Sequence, residues 1–244
     1  FKMFFGVINS IFKMFSIYPD VIFGKGGYAS FPTVLAGRLL RIPIVIHESD
    51  SMPGRVNKWA GHFATKVAVS FADAAHYFPA STTAWTGQPI RVEIEHPASR
   101  KEALAYFKLE SNWPVILIIG GSQGAELINN TILNALPRLI KNYQIIHQTG
   151  VNNFKTVEGQ AKVVLADNMD KLRYLAVPFL NPLSMKMASG VATIIISRAG
   201  SQLFEIASWG IPSILIPITN TNLDHQKRNA FNYARAGACA VIEE

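Results

Sequence analysis

Continuous runs of apolar, mostly β-branched residues recur along the chain, and a helical pattern follows most of them. Strands that are apolar on both faces are typical of parallel sheets covered by helices on both sides. The sequence therefore predicts an α/β fold with parallel sheets. The predicted strands are residues 21–23, 44–46, 66–70, 115–119, 144–147, 192–197, 212–217 and 239–242, and the predicted helices are residues 31–40, 54–62, 71–77, 125–140, 201–209 and 225–235.

Composition limits the class of protein. With 244 residues, 49% hydrophobic and 16% charged, the chain is too apolar for disorder and suits one large domain or two small ones. The net charge of +7 favours anionic partners such as nucleotides, lipid phosphates or an anionic membrane surface. Because the basic residues are dispersed, we expect no nucleic acid among the partners. Cys239 is the single cysteine, which excludes an intrachain disulfide and is typical of a reducing compartment.

The stretch GQPIRVEIEHPASRKE, which starts at Gly87, divides the chain. Gly87, Pro89 and Pro97 break the periodicity there, and the density of charged residues rises. We therefore predict an N-terminal domain at residues 1–91 and a C-terminal domain at residues 92–244. Two such α/β domains are expected to face each other across a cleft and to bind ligands at the carboxyl ends of their strands.

The loop GGSQGA follows the most apolar predicted strand and leads into a helix. In it, Ser122 supplies a hydroxyl next to Gln123. Gly124 opens a helix whose first N–H groups are unpaired and favour a negative charge. A plain glycine turn remains the alternative to a phosphate site, and the loop is not a dinucleotide fingerprint.

A second loop, GKGGYAS, also joins a predicted strand to a predicted helix. It contains Lys25, Gly26, Gly27 and Tyr28. A tight turn and an anion site are equally compatible with these residues. Two glycine loops in one chain suggest two anionic groups, or one diphosphate contacted from both halves.

Two later helices begin with polar residues. In SRAGSQLFE, Gly200 and Ser201 offer N–H and hydroxyl donors to phosphate, and Glu205 lies one turn into the helix. A carboxylate there accepts both hydroxyls of a ribose. The alternative is that Ser201 caps the helix and Glu205 stabilises its N-terminus. In NLDHQKRNA, Gln226 is placed to face a sugar, or belongs to a capped surface helix.

Seven motifs occur in an order found in one known family: GKGGYAS, IPIVIHESDSMPGRVNKW, GQPIR, GGSQGAELIN, HQTG, SRAGS with FEIASWGIPSILIPI, and DHQKRNA. From about residue 18 to its end, the chain resembles the MurG family, the UDP-N-acetylglucosamine transferases that make lipid II for peptidoglycan. The resemblance implies a GT-B type fold with two Rossmann-like domains facing a cleft, the N-terminal one incomplete. The C-terminal half is expected to bind UDP-GlcNAc, and the N-terminal half lipid I (undecaprenyl-pyrophosphoryl-MurNAc-pentapeptide).

The resemblance also implies an inverting transfer of GlcNAc from UDP-GlcNAc to the C4 hydroxyl of lipid I, with no metal or other cofactor. Loop amides and helix N-termini are expected to stabilise the departing diphosphate. Within the donor site, Leu180 is expected to meet uracil through its backbone, Glu205 the ribose and Gln226 the GlcNAc hydroxyls. The residues that the resemblance assigns to substrate binding are Asp50, Arg91, Ser122, Gln123, Gly124, Leu180, Gly200, Ser201, Glu205 and Gln226.

On the acceptor side, the resemblance places Gly26, Gly27 and Tyr28 against the diphosphate of lipid I. His47 and Glu48 match a pair that we take as positioning groups. A histidine at a strand end is otherwise most often a structural residue.

The chain departs from the family pattern at several points. Asp50 stands where the family usually has Asn, and an ionised carboxylate cannot donate a hydrogen bond, so its sugar contact is expected to change. The loop before the helix at 201–209 is one residue shorter than the commoner family pattern. The family roles assigned to residues 201–204 can therefore shift by one position. The family's Gly-rich loop ending in His, its candidate general base, has no counterpart here. We therefore expect a fragment with no assigned catalytic residue, poor activity and retained nucleotide affinity.

The opening stretch FKMFFGVINSIFKMF keeps helical spacing of its apolar residues, flanked by Lys2 and Lys13. It is interrupted too often to span a bilayer convincingly. Its apolar face either packs on further core or contacts a membrane surface. The resemblance favours a peripheral protein on the cytoplasmic face of the inner membrane.

Three other functions remain open. A related GT-B transferase could glycosylate a different lipid, such as a diacylglycerol, because the acceptor half decides this. A nucleotide-sugar-binding module could work with a separate catalytic chain. An NAD-dependent oxidoreductase is disfavoured, since no intact GxGxxG with a downstream acid is present.

Overall fold

The structure is a computed structural model that describes residues 2–121, 125–166, 168, 170–218 and 224–244. The chain forms two compact α/β units. The first consists of Phe1–Pro89 and Thr221–Asn232, and the second of Ile90–Asn220 and Tyr233–Glu244. The predicted α/β class with parallel sheets is confirmed, because both units contain a fully parallel sheet.

The described residues contain the following helices and strands in chain order. The helices are α1 (Lys2–Ile17), α2 (Phe31–Leu39), α3 (Arg55–Ala60), α4 (Val92–Glu95), α5 (Arg100–Phe107), α6 (Glu126–Leu139), α7 (Phe154–Val164), α8 (Pro182–Val191), α9 (Gln202–Trp209) and α10 (His225–Ala234). The strands are β1 (Ile22–Gly24), β2 (Ile44–Glu48), β3 (Lys66–Val69), β4 (Thr83–Trp85), β5 (Val115–Ile119), β6 (Gln144–Gln148), β7 (Tyr174–Val177), β8 (Ile194–Ser197), β9 (Ser213–Leu215) and β10 (Cys239–Val241).

The sheet of the first unit has the strand order β1-β2-β3-β4. Its core is built from inward-facing residues of these strands, such as Ile46 and Val69, and from helix residues that cover them, such as Val34 and Ala60. Met14 is the one buried residue of α1, and the helix packs along α2. Because the strands are parallel, the loops after β1, β2, β3 and β4 all leave the same edge of the sheet.

The sheet of the second unit has the order β10-β9-β8-β5-β6-β7. Every residue of β5 is buried, as its continuous apolar sequence predicts. One core cluster includes Leu117 and Ile146, and another, which includes Ile118 and Ile145, packs against α6 and α7. Alternate residues of β5 therefore point into opposite layers of helices.

Several elements differ from the sequence-based prediction. Residues 72–77 form a 3₁₀ helix rather than an α-helix. Strands β4 and β7, and helices α4, α5, α7 and α8, were not predicted. The sequence did contain a signal for the start of α5, because Ser99 followed three residues later by Glu102 is typical of a helix N-terminus. In the structure the two residues form a capping box in which each side chain bonds the backbone N–H of the other. No helix in the described part of the chain is long and apolar enough to cross a bilayer.

Candidate functional site

In the first unit, a hydrogen-bond network joins the loops at the carboxyl ends of all four strands. Lys25 Nζ, after β1, lies 2.9 Å from Nδ1 of His47 on β2 and 3.3 Å from Oε1 of Gln88, after β4. His47 Nε2 lies 3.1 Å from the carbonyl oxygen of Gly87 and 3.3 Å from Oγ of Ser70, which follows β3. The Ser70 hydroxyl donates to Gln88 Oε1 at 3.1 Å.

The partners of His47 fix its tautomer. An ammonium only donates and a carbonyl only accepts, so Nδ1 accepts from Lys25 and Nε2–H donates to Gly87. Burial lowers the pKa of His47, against the opposing effect of the Gly87 carbonyl, and the Lys25 charge lowers it further. His47 is therefore a neutral side chain whose Nδ1 accepts a hydrogen bond from Lys25.

Glu48 holds the loop that follows β2. Its Oε1 accepts the backbone N–H of Asp50 at 3.0 Å, and its Oε2 accepts from Asn57 Nδ2 at 2.9 Å and from the Gly54 N–H at 3.2 Å. Burial raises the pKa of Glu48, although its hydrogen bonds to Asp50, Asn57 and Gly54 oppose this and the nearby Asp50 charge adds to it. The carboxylate thus shapes the loop between β2 and α3.

Asp50 contacts α10, which belongs to the first unit through Thr221–Asn232. Its Oδ1 accepts from Asn229 Nδ2 at 2.9 Å, and its Oδ2 lies 3.4 Å from Nδ1 of His225. Asn229 Oδ1 in turn accepts the Ser51 N–H at 2.9 Å. Asp50, one of the positions at which this chain departs from the family pattern, thus ties α10 to the loop after β2. Gln226 lies on the same helix and is partly exposed.

The glycine loop after β1 has the backbone that its sequence suggests. Gly26 and Gly27 have φ angles of 79° and 77°, which favour glycine. A Cβ on Gly26 would come within 2.6 Å of Asn57 Nδ2, whereas a Cβ on Gly27 would meet nothing within 4 Å. Tyr28 is 75% exposed. The loop therefore presents open backbone at Gly27 beside an exposed phenol.

In the second unit, Arg91 and Glu205 are hydrogen-bonded. Arg91 Nε donates to Glu205 Oε1 at 3.1 Å, and Nη2 donates to Oε2 at 3.3 Å. Gln202 Nε2 also donates to Oε2. The indole N–H of Trp209 bonds the carbonyl oxygen of Ile94 at 2.6 Å, which joins α9 to the short helix that follows Arg91. Two of the predicted donor-binding residues are therefore held together.

The start of α9 leaves polar groups available. Ser201 occupies the N-cap position, but its side chain makes no capping hydrogen bond and is exposed. Gly200 is partly exposed, and a Cβ there would meet nothing within 4 Å. The structure therefore differs from the alternative in which the Ser201 hydroxyl caps this helix.

Gln148 joins two loops at the carboxyl edge of the second sheet. Its Nε2 donates to the Gly121 carbonyl at 3.1 Å, and its Oε1 accepts the Leu180 N–H at 3.0 Å. The Leu180 side chain is buried, and its backbone N–H is occupied by the bond to Gln148. Ser122, Gln123 and Gly124, predicted to bind the diphosphate, lie outside the described residues.

A buried chain of hydrogen bonds that the motifs did not reveal lies behind this edge. Tyr174 Oη and His147 Nδ1 are 2.9 Å apart, His147 Nε2 and Asn129 Oδ1 are 3.0 Å apart, and Asn129 Nδ2 donates to the Thr149 carbonyl at 3.1 Å. Burial lowers the pKa of His147 to about 4. Burial also raises the pKa of Tyr174. The sequence feature that could have indicated this network is the polar stretch HQT, residues 147–149, which ends an apolar strand.

Sequence reasoning also missed Ser70, Gln88 and Asn57, whose partners are far away in the sequence. No group of three or more His, Cys, Asp or Glu side chains within the described ranges is arranged to hold a metal ion. The side chains brought together at these strand ends are hydrogen-bonding and charged groups suited to polar, anionic ligands.

Comparisons with known proteins identify the family. Residues 115–244 match the glycosyltransferase family 28 C-terminal domain, and residues 1–69 match the family's N-terminal domain. A UDP-N-acetylglucosamine--N-acetylmuramyl-(pentapeptide) pyrophosphoryl-undecaprenol N-acetylglucosamine transferase 2 of Bacillus cereus is 35% identical over 254 residues, which cover 98% of this chain and 65% of the relative. The corresponding transferase of Halothermothrix orenii is 40% identical over 233 residues, covering 93% of this chain and 62% of the relative.

The chain thus spans about two thirds of the length of these relatives, 65% and 62%. Among solved structures, MurG of Acinetobacter baumannii superposes with a TM-score of 0.75 at 28% identity, covering 97% of this chain and 63% of that one. A UDP-GlcNAc 2-epimerase from Neisseria meningitidis superposes with a TM-score of 0.69 at 15% identity, covering 99% of this chain and 69% of that one. At this identity the similarity supports the fold and no shared function. The predicted GT-B type fold and the resemblance to the MurG family are confirmed. The chain belongs to glycosyltransferase family 28.

Proposed function

We propose that this chain carries the substrate-binding regions of a transferase that moves GlcNAc from UDP-GlcNAc to the C4 hydroxyl of lipid I, which forms lipid II. The observation that carries the proposal is the identity of 35% and 40% to the two named transferases over nearly the whole chain. Arg91 and Glu205, assigned to the donor from the motifs alone, support it because they contact each other in the second unit.

The donor site in this proposal uses groups already oriented by the fold. Glu205 is held by Arg91 and Gln202, so its carboxylate is fixed for the two ribose hydroxyls. The exposed hydroxyl of Ser201 lies at the N-terminus of α9 and is placed for a phosphate oxygen, because a helix N-terminus favours an anion. The Leu180 carbonyl accepts the N3–H of uracil, since the Leu180 N–H is already bonded to Gln148.

The reaction in this proposal is an inverting displacement. The C4 hydroxyl of the acceptor sugar attacks C1 of GlcNAc, the bond from C1 to the UDP oxygen breaks, and the hydroxyl loses its proton to a base. Donors fixed in advance stabilise the charge that develops on the diphosphate. The family's candidate base, a His after a Gly-rich loop, has no counterpart among these 244 residues. We therefore propose that this polypeptide binds the donor and transfers its sugar slowly, with no metal or other cofactor.

Binding at the cytoplasmic face of the inner membrane is part of the same proposal. Along α1 the side chains of Phe4, Phe5, Phe12 and Phe15 are exposed, with Lys2 and Lys13 on the same helix. Aromatic residues with flanking lysines favour an anionic membrane surface. This arrangement suits an acceptor that carries an undecaprenyl tail.

Two measurements test the proposal. Titration with UDP-GlcNAc, UDP-GalNAc and NAD is expected to give the tightest binding for UDP-GlcNAc and none for NAD; preference for NAD would contradict it. Turnover with a lipid I analogue is expected to be slow. Binding of UDP-GlcNAc with transfer only to a diacylglycerol would favour the related lipid transferase, and binding with no transfer to any acceptor would favour a binding module.

A further inference from the structure

Gln148 is the last residue of β6 and part of the HQTG motif, to which the proposed function assigns no role. The residue is 2% exposed. A buried amide is costly unless both its oxygen and its nitrogen have hydrogen-bond partners. In the second unit both atoms are bonded to the main chain of other loops, which makes Gln148 a connection between them.

The carboxamide of Gln148 bridges Gly121 and Leu180. Its Nε2 donates to the Gly121 carbonyl at 3.1 Å, and its Oε1 accepts the Leu180 N–H at 3.0 Å. These partners fix the orientation of the amide, because a carbonyl only accepts and a backbone N–H only donates. A thioether or an aliphatic side chain of similar size cannot replace the donor and the acceptor together.

The two bridged residues belong to different parts of the donor site in the proposed function. Leu180, between β7 and α8, is the residue assigned to uracil. Gly121, between β5 and α6, directly precedes Ser122, which is assigned to the diphosphate. Because β6 lies between β5 and β7 in the sheet, a side chain at its carboxyl end reaches the loops that follow both neighbours.

Gly121 is the point at which the loop after β5 leaves the packed edge of the sheet. A Cβ on the preceding Gly120 would come within 3.0 Å of the backbone nitrogen of Ala125, so that residue is closely packed. A Cβ on Gly121 would meet nothing within 4 Å, and its φ angle of 84° favours glycine. The Gln148 amide therefore holds the main chain where close packing ends.

We infer that Gln148 is a positioning residue that holds the main chains of Leu180 and Gly121 in one arrangement, so that the uracil and the diphosphate of the donor bind together. The inference rests on the proposed function and deepens it, because Gln148 acts only through the main chain of other residues. Loops that are fixed before the ligand arrives lose less conformational entropy on binding. UDP gains from both fixed loops, whereas uridine gains only from the loop of Leu180.

The experiment compares the full 244-residue chain with Gln148→Met, which keeps the side-chain length and removes both hydrogen bonds. Gln144→Met is the matched control. Gln144 begins the same strand, is also 2% exposed, and its amide accepts the Glu110 N–H and donates to the Glu110 carbonyl, both at 2.8 Å. Both variants are expected to lower the thermal midpoint by similar amounts, since each loses the same two bonds.

Nucleotide affinity is expected to change only in Gln148→Met. Its dissociation constant is expected to rise about tenfold for UDP and about threefold for uridine, as measured by calorimetric titration. A role confined to stability would give the same affinities in Gln148→Met and Gln144→Met, and that result overturns the inference. Equal losses for UDP and uridine overturn it as well, because the bond to Gly121 would then have no effect on the diphosphate.

Gln148→Glu tests the bond to Leu180 separately. A carboxyl oxygen accepts the Leu180 N–H whether or not the group is protonated. Uridine carries no phosphate, so an added negative charge has no anion to repel. The affinity for uridine is therefore expected to recover to that of the unsubstituted chain. An affinity as low as that of Gln148→Met would show that this bond does not position the uracil contact.

UDP-GlcNAc is titrated in parallel to separate this inference from the proposed function. If the unsubstituted chain and Gln148→Met bind UDP-GlcNAc and UDP equally well, the inference fails and the proposed function stands. If UDP binding depends on Gln148 but UDP-GlcNAc does not bind, the proposed function fails and the positioning role stands. If the unsubstituted chain binds neither nucleotide, both fail.

Discussion

The guanidinium of Arg91 contacts both carboxylate oxygens of Glu205, with Nε 3.1 Å from Oε1 and Nη2 3.3 Å from Oε2. The two residues are 114 positions apart in the sequence. Such a paired geometry fixes the plane of the carboxylate. Arg91 is more exposed than Glu205, at 43% and 12% of the side chain, so the pair serves orientation more than stability.

The assignment of Glu205 to the ribose predicts a specific loss. Glu205→Ala is expected to weaken UDP binding about tenfold, because two hydrogen bonds from hydroxyls to a charged group disappear. The loss is expected to shrink to about twofold for 2′,3′-dideoxy-UDP, which has no hydroxyls to lose. Calorimetric titration of both nucleotides measures the difference, with Glu158→Ala as control at a partly exposed carboxylate of α7 that pairs with Lys162. An equal loss for both nucleotides would place Glu205 away from the ribose.

The contact of Asp50 with α10 predicts a graded effect on stability. Asp50→Asn keeps an oxygen for Asn229 and loses only the charge facing His225, so the free energy of unfolding is expected to fall by less than about 1 kcal/mol. Asp50→Ala also removes the acceptor and is expected to cost about 1–2 kcal/mol. Chemical denaturation measures both, with the exposed Asp20→Ala as control. If Asp50→Ala were as stable as the control, the contact would not hold α10.

Much of the second unit was predictable because its central strands are buried on both faces. Strand β5 was predicted with its observed bounds, since VILII is apolar at every position and glycines follow it. Strands β4 and β7 were missed for the opposite reason. Both lie at sheet edges, and neither contains a fully buried residue, so the apolar pattern that marks a covered strand is weak there.

Only those parts of the candidate site that contain a glycine turn or the start of a helix could be predicted from the sequence. The positive φ angles of Gly26 and Gly27 follow from their place between strand and helix. The partner of Lys25 could not be inferred, because His47 is 22 residues away and meets it only through parallel strand pairing. Residues 122–124, which gave the clearest sequence signal, lie outside the described residues, so their role stays a prediction.

The buried His147 predicts acid sensitivity. Its folded pKa of about 4 lies below the value near 6.5 of an unfolded histidine. The unfolded chain therefore binds the proton first as pH falls, and stability is lost between about pH 6.5 and 4. The loss from this group is expected to be roughly 2–3 kcal/mol between pH 7 and 4.5.

The measurement is the pH slope of the unfolding free energy rather than its absolute value. His147→Gln is expected to flatten the slope in this window, whatever its effect on stability at pH 7. His62→Gln replaces an exposed histidine and serves as control. A slope in His147→Gln equal to that of the unsubstituted chain would show that His147 is not the group that titrates.

The exposed aromatic side chains of α1 predict binding to anionic vesicles. Phe4 and Phe12 are 66% and 70% exposed, and their replacement by Ser removes apolar area without disturbing Met14, which packs on the core. The double variant is expected to lower the fraction that cosediments with phosphatidylglycerol vesicles at least about threefold. Leu172→Ser, at an exposed apolar residue of the second unit, is the control and is expected to leave cosedimentation unchanged.

Because membrane attraction through Lys2 and Lys13 is electrostatic, neutral phosphatidylcholine vesicles are expected to bind less of the unsubstituted chain. Equal cosedimentation of the double variant and the control would instead favour the alternative in which this face of α1 packs against protein.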